Sequence, residues 1–509
     1  MRNLFYVSAI VFIISSVKPS SVDPDYMSKR DDLIHDEDSL KIGGLLVLSD
    51  AEKVINDTIM KEKIKMINDS LTNRASYIPS LSFFKVKPLI ANTTIFKWIQ
   101  KMPKGGALHV HDLAGASLDW LIKNATYRDN IYMCFDKNQY LLFHAFQNPP
   151  VNPDCKWILV KDARGSQDPD AFDAMLKSNL SMMVTDPVET YADNDKAWQR
   201  FQEYFIQVYS LIYYAPVFRD YYWRILDEFR ADNVQYLELR GQLWGLYDLN
   251  GTQYDEEYGL QMIMDVTEQF MKQYPNFIGV KVIMCGNRNS NESFILEKIK
   301  TAIQLHQKYP DFMAGFDLVS DEQWYKPLIY YVDALLYPSK QNPPYHLPYF
   351  FHAGETDWLS TEVDQNLYDA LLLNTTRIGH GYALSKHPKL VKMVKAKHIG
   401  VEVNPISNQI LRLVTDLRNH PMSGLMRDNF PLVVSSDDPS VWEATPLSHD
   451  FYMAFMAMSG EDGDLTFLKQ LANNSITYSA MTKGEKRIAF KKWQASWDEF
   501  IKETVKSLW

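Results

Sequence analysis

From Gly106 to Ser435 the chain alternates short apolar segments with longer amphipathic ones, and this alternation restricts its fold more than any other feature. Eight segments read as strands: 106–111, 234–239, 279–284, 313–319, 349–352, 377–378, 400–403 and 431–435. Helical periodicity fills most of the intervals, at 198–229, 258–274, 294–309 and 363–374. Strands that alternate with helices pair in parallel, because each crossover must carry the chain back to the same sheet edge. Eight such repeats predict an α/β chain closed into a (β/α)8 TIM barrel, rather than an open doubly wound sheet.

Two stretches fall outside the repeat. Residues 127–186, after the first strand, are too long for an ordinary connection and contain Cys134, Cys155 and several Pro and Asn breaks. They read as an inserted subdomain stapled by a Cys134–Cys155 disulfide, which places it over the catalytic mouth of a barrel. The third cysteine, Cys285, lies in an apolar run and is expected to be a buried thiol. Residues 22–100 read as an N-terminal helical arm. Within it Ser49 is an N-cap candidate, followed by Glu52 and by apolar residues at helical spacing. The barrel is then 101–126 plus 187–509.

The first 21 residues have a basic start at Arg2, an apolar run and then small residues, the layout of a cleaved secretory signal. Nine Asn-x-Ser/Thr sequons agree with secretion and glycosylation. No later apolar run reaches the roughly 20 residues needed to span a membrane. A net charge of −10, without Lys/Arg clusters, disfavours nucleic-acid polymers and anionic membranes as partners.

Polar residues recur where the strands end: His109 and His111, then His352 with Glu355, then His380, then Asp437 with Asp438. In a barrel these ends converge on one mouth. Two histidines one residue apart on a strand share a face, so His109 and His111 can ligate one cation. The economical assignment is one Zn²⁺ held by His109, His111, His352 and Asp437. Glu355 then serves as proton donor, His380 orients the nucleophile, and Asp438 bonds a ring nitrogen. From spacing alone two alternatives stay open: His380 as a ligand, and either aspartate as the carboxylate donor. The absence of Cys-x-x-Cys disfavours a cytidine-deaminase type of site. A binuclear centre with a carboxylated lysine is disfavoured because 317–319 reads Asp-Leu-Val.

The segments MPKGGALHVHD, GFDLVSDE, FHAGETDW, NTTRIGHGYALSKHP, NPISNQ and SSDDP closely resemble the secreted adenosine deaminases, also called adenosine deaminase-related growth factors. The resemblance covers nearly the whole chain after its leader. It implies zinc on His109, His111, His352 and Asp437, Glu355 as donor to purine N1, His380 at the hydroxide and Asp438 at N7. It also implies nucleoside contacts from Asp112 and Trp198, and adenosine or 2′-deoxyadenosine as substrate. The arm is implied to form a homodimer, and the insert to bind a cell-surface receptor or glycosaminoglycan.

Two positions depart from the family pattern. Ser320 stands where the family has a glycine whose N–H serves the purine, and a negative φ there is the condition for a serine to keep that donor. Asn287 stands where a histidine commonly meets the ribose, and its amide can still bond a hydroxyl. These departures, with the arm and insert, motivate the alternative reading of an extracellular growth-factor-like binding protein with weak or incidental deaminase activity.

Overall fold

The structure, a computed structural model, describes residues 23–73, 76–243 and 245–508. The signal segment expected at 1–21 lies outside the described residues. Strand β1 (Gly105–His111) is followed by the insert strands β2 (Ile131–Phe135), β3 (Leu141–Ala145) and β4 (Ile158–Leu159). Seven further strands complete the chain: β5 (Val234–Gly241), β6 (Gly279–Asn287), β7 (Met313–Val319), β8 (His352–Ala353), β9 (Arg377–His380), β10 (Gly400–Val403) and β11 (Leu432–Val434).

Strands β1-β5-β6-β7 form one parallel set and β8-β9-β10-β11 another. Parallel bridges join the two sets at both seams. At one, Phe316 N donates to Pro348 O at 2.9 Å and Phe350 N to Phe316 O at 3.0 Å. At the other, His111 N donates to Asp437 O and Asp437 N to His109 O, each at 3.0 Å. The eight strands thus close into the expected barrel. Their residues are buried almost throughout, as strands covered on both faces must be.

The helix expected over 198–229 is two helices, Asn194–Ile212 and Ala215–Ala231. Pro216 cannot sit mid-helix, because it lacks an N–H and its ring clashes with the carbonyl four residues back. The chain breaks at Tyr213 and Tyr214 instead, where Ala215 N donates to Tyr247 O and Tyr247 N to Tyr213 O.

The N-terminal region carries α1 (Pro24–Leu40), α2 (Asp50–Thr72), α3 (Phe83–Ile90) and α4 (Thr94–Lys101). Ser49 and Glu52 form the expected capping box on α2. Helix α2 docks through buried Ile55 and Ile59, and its Glu52 accepts from Lys469 Nζ at 2.6 Å and Trp497 Nε1 at 2.7 Å. Helix α1 buries no residue and leaves Tyr26, Leu33 and Leu40 more than half exposed. In the insert, β3-β2-β4 pair antiparallel, and the Cys134–Cys155 disulfide ties β2 to the segment before β4. Cys285 is a buried free thiol. Among the described residues no helix is long and apolar enough to cross a membrane.

Candidate active site

Strand alternation puts His109 and His111 on one face of β1, with His109 fully buried and the His111 side chain 17% exposed. The parallel register pairs His352 of β8 with Gly379 and Ala353 with His380 of β9, so both histidines lie at the same rim. The ring centre of His109 lies 5.4 Å from that of His111, 4.6 Å from His352 and 4.9 Å from His380. Asp437, bonded into the seam, brings Oδ1 to 3.1 Å from His109 Nε2 and 3.2 Å from His111 Nε2. Neither His109 Nε2 nor Asp437 Oδ1 makes a hydrogen bond to the described residues, although both atoms are buried. Donor atoms that converge without bonding one another are arranged for a shared cation.

Holding these side chains together strains the backbone. His380 has φ of 58° and Asp437 of 59°, both in the left-handed region that non-glycine residues avoid. Gly379 is required by close approach: a Cβ there would lie 3.1 Å from His109 Cε1 and 3.2 Å from His352 Cα.

Three carboxylates to which the sequence pattern assigns no role complete the site, two of them, Asp317 and Glu322, within GFDLVSDE. Glu402 on β10 meets His109 Nδ1 at 2.7 Å, and Asp317 on β7 meets His352 Nδ1 at 2.6 Å. Glu322 accepts from Gly354 N at 3.2 Å and Glu355 N at 3.1 Å, which fixes the loop carrying Glu355. The signal for the first two is a charge inside an otherwise apolar strand, Gly-Phe-Asp-Leu-Val and Gly-Val-Glu-Val. Burial opposes ionisation of Asp317 and Glu402, but nearby arginine and histidine groups outweigh it and hold both pKa values low. Burial lowers the pKa of His111, of His352 to about 4, and of His380, so these rings are neutral and able to ligate.

Glu355 sits 3% exposed, with Oε1 3.2 Å from His380 Nδ1. Asn408 Nδ2 also lies 3.2 Å from that nitrogen. Asp438 is 1% exposed and neither of its oxygens meets a donor among the described residues. Burial first, then the negative charge of Asp437, raises the pKa of both Glu355 and Asp438 well above the usual range. The structure therefore brings together His109, His111, His352, His380, Glu355, Asp437 and Asp438.

The remaining candidates are placed around this group. Asp112 follows β1 directly, accepting from Tyr222 OH at 2.7 Å and from Leu113 N at 2.8 Å, and burial raises its pKa to about 7. Trp198 packs edge-on to Phe201 in the helix whose first residues, Asn194 and Asp195, bond Gln323 and Trp324 of the loop after β7. Asn287 ends β6, with its Oδ1 accepting from Asn289 N at 2.8 Å. Ser320 follows β7 with φ of 93°, so the negative φ set as the condition for its backbone donor is not met. The chain keeps a glycine-like backbone there at a cost in strain.

Residues 173–493 match the adenosine deaminase family model, and 6–99 match the adenosine/AMP deaminase N-terminal model. An adenosine deaminase of Phlebotomus duboscqi is 45% identical over 496 residues, covering 97% of this chain and 95% of that one. Human adenosine deaminase 2 is 42% identical over 479 residues, covering 94% and 93%. Among solved structures, Arabidopsis ADAL complexed with GMP superposes with a TM-score of 0.55 at 16% identity, covering 79% of this chain and 98% of that one. The structural likeness carries the fold, and the sequence relatives carry the chemistry. The chain belongs to the adenosine deaminase family of metal-dependent hydrolases.

Proposed function

We propose that this chain is a secreted, zinc-dependent enzyme that hydrolyses adenosine or 2′-deoxyadenosine to inosine or 2′-deoxyinosine and ammonia, regulating extracellular adenosine. The observation that carries this reading is the convergence of buried His109 Nε2 and Asp437 Oδ1, 3.1 Å apart and neither making a hydrogen bond among the described residues, with the rings of His111, His352 and His380 around them. Three nitrogen donors and one carboxylate suit Zn²⁺ with a coordination position to spare. His109, His111, His352 and Asp437 would hold one ion per chain, and a solved amidohydrolase of this fold from Burkholderia ambifaria has bound zinc. When bound, zinc supplies a Lewis acid that makes water nucleophilic near neutral pH.

The chain's own residues supply the rest. Purine N1 and N7 accept hydrogen bonds, so a carboxyl group facing either must carry a proton. Burial keeps Glu355 and Asp438 protonated, which suits Glu355 to protonate N1 and Asp438 to donate to N7. His380, held beside Glu355 and Asn408, accepts a proton from the attacking water and returns it to the departing amino group. Asp112, Trp198 and Asn287 bind the nucleoside, and the Ser320 N–H, held at a positive φ, is a weaker contact than the family's glycine would give.

Secretion is supported by the leader-like first 21 residues, the nine sequons and the Cys134–Cys155 bond, which persists in oxidising compartments. The arm, 22–100, serves homodimerisation through α1, which buries no residue and leaves Tyr26, Leu33 and Leu40 more than half exposed. The insert, 127–186, contains six basic and eight acidic residues, which favours a protein receptor over a polyanionic glycosaminoglycan.

Absorbance assays on the secreted protein with adenosine, 2′-deoxyadenosine and AMP test the reading. Turnover of the nucleosides that disappears on chelation and in Glu355→Ala is expected. Failure to turn over either nucleoside with zinc fully loaded overturns it, and preference for AMP overturns the substrate assignment.

A further inference from the structure

His109 and His352, each with a buried carboxylate at Nδ1, are joined by a third group. Arg240 on β5 is fully buried; its Nε donates to Asp317 Oδ2 at 2.9 Å and its Nη2 to Glu402 Oε2 at 2.6 Å. These are the same two oxygens that meet His352 Nδ1 and His109 Nδ1. The guanidinium also bonds the flanking main chain. Nη1 donates to Leu108 O at 3.0 Å, one residue before His109, and Nη2 to Phe350 O at 3.3 Å, two residues before His352. Other donors occupy the remaining carboxylate oxygens: Leu318 N and His352 N on Asp317 Oδ1, and Arg377 Nε on Glu402 Oε1.

We propose that Arg240 is a positioning residue that sets the orientation and tautomer of two metal-facing histidines at once, by holding their carboxylate partners at a fixed separation. The inference rests on the zinc reading above. A histidine that ligates through Nε2 must carry its proton on Nδ1, and the acceptor at Nδ1 fixes both tautomer and ring plane. Here the acceptors belong to β7 and β10, strands not adjacent in the barrel. The planar, rigid fork of one arginine spans them. Rotation of either carboxylate would break an Arg240 bond, so the two rings are coupled through 0%-exposed groups screened from water. A lysine would keep the charge, but its single ammonium cannot reproduce the fork.

The test uses the full chain, with the zinc dissociation constant measured by competition against a chromophoric chelator, and melting temperatures taken with and without metal. Arg240→Lys is expected to weaken zinc binding about 10–100-fold, and to lower the melting temperature of zinc-loaded protein more than that of metal-free protein. A dissociation constant equal to wild type, whatever the change in melting temperature, would make Arg240 a structural ion-pair partner only and overturn the inference. Should Arg240→Lys not fold, Asp317→Asn, Glu402→Gln and their double variant decide. If one guanidinium couples the two carboxylates, their losses in zinc affinity do not multiply; losses that multiply show two independent contacts and overturn the inference. A wild-type chain that binds no zinc overturns the metal reading and this inference together. Wild-type binding with unaltered Arg240→Lys overturns the inference alone.

Discussion

Asp437 is bonded to its neighbours on β1 twice over. Its backbone N–H and C=O pair with His109 O and His111 N to close the barrel, while its Oδ1 lies 3.1 Å from His109 Nε2 and 3.2 Å from His111 Nε2. The hydrogen bonds that seal the seam thus also set the distance between three donor atoms. Fold closure and metal geometry are one constraint here, and the left-handed φ of Asp437 is the local cost of meeting both.

That coupling makes Gly379 sensitive. In Gly379→Ala the new Cβ would press on His109 and on the His352 backbone at 3.1 and 3.2 Å, tighter than ordinary contact. Overpacking of this kind costs about 1–3 kcal/mol. A lower denaturation midpoint with weaker zinc retention is expected; an unchanged midpoint and zinc affinity would show that the rings have room to move.

Ser320 should respond in the opposite direction. With φ of 93° it occupies a conformation natural to glycine, so Ser320→Gly relieves strain while adding freedom to the unfolded chain. A net gain of about 1 kcal/mol in urea unfolding is expected, with a KM for adenosine no higher than wild type. Destabilisation would mean that the Ser320 side chain contributes more than its strain costs.

The acid limb of the stability curve should report Glu52. Bonds from Lys469, Trp497 and Ser49 overcome its burial and lower its pKa to about 2, against about 4.3 for an unfolded glutamate. A depressed folded pKa gives stability that is present above the unfolded value and lost as pH falls towards the folded one. Wild type should therefore lose on the order of 1–2 kcal/mol from this group between pH 4.5 and 2. Glu52→Gln should lose less over that range, and parallel wild-type and variant curves would refute the assignment.

The disulfide should act on the insert and leave the metal site alone. Cys134 and Cys155 are separated by 21 residues, a loop whose closure contributes about 3 kcal/mol. In Cys134→Ser/Cys155→Ser, limited proteolysis should cut first within 127–186 while zinc affinity stays at the wild-type value. Loss of zinc would show that the insert supports the barrel mouth.

The barrel was legible because β7 and β10 read as apolar runs in register with their flanking helices, and the chemistry because His, Glu and Asp recur where those runs stop. The break at Tyr213–Tyr214 was masked by apolar periodicity continuing through Pro216. Arg240, Asp317 and Glu402 were missed for a different reason. A charge inside an apolar strand marks Asp317 and Glu402, but it does not name their partner Arg240, which lies 77 and 162 residues away in the chain. The positive φ of His380 and Asp437 is equally silent in sequence, since residue type did not announce it.

His109, His352, His380 and Asp437 offer donor atoms within 4.8 Å of one another, and His111 does so with Asp437 and Asp438, so proximity alone leaves His111 and His380 in competition. Elemental analysis of zinc-reconstituted protein after gel filtration separates them. One zinc per chain in wild type and in His380→Ala, with none retained in His111→Ala, is the predicted result. Zinc lost from His380→Ala but kept by His111→Ala would contradict it.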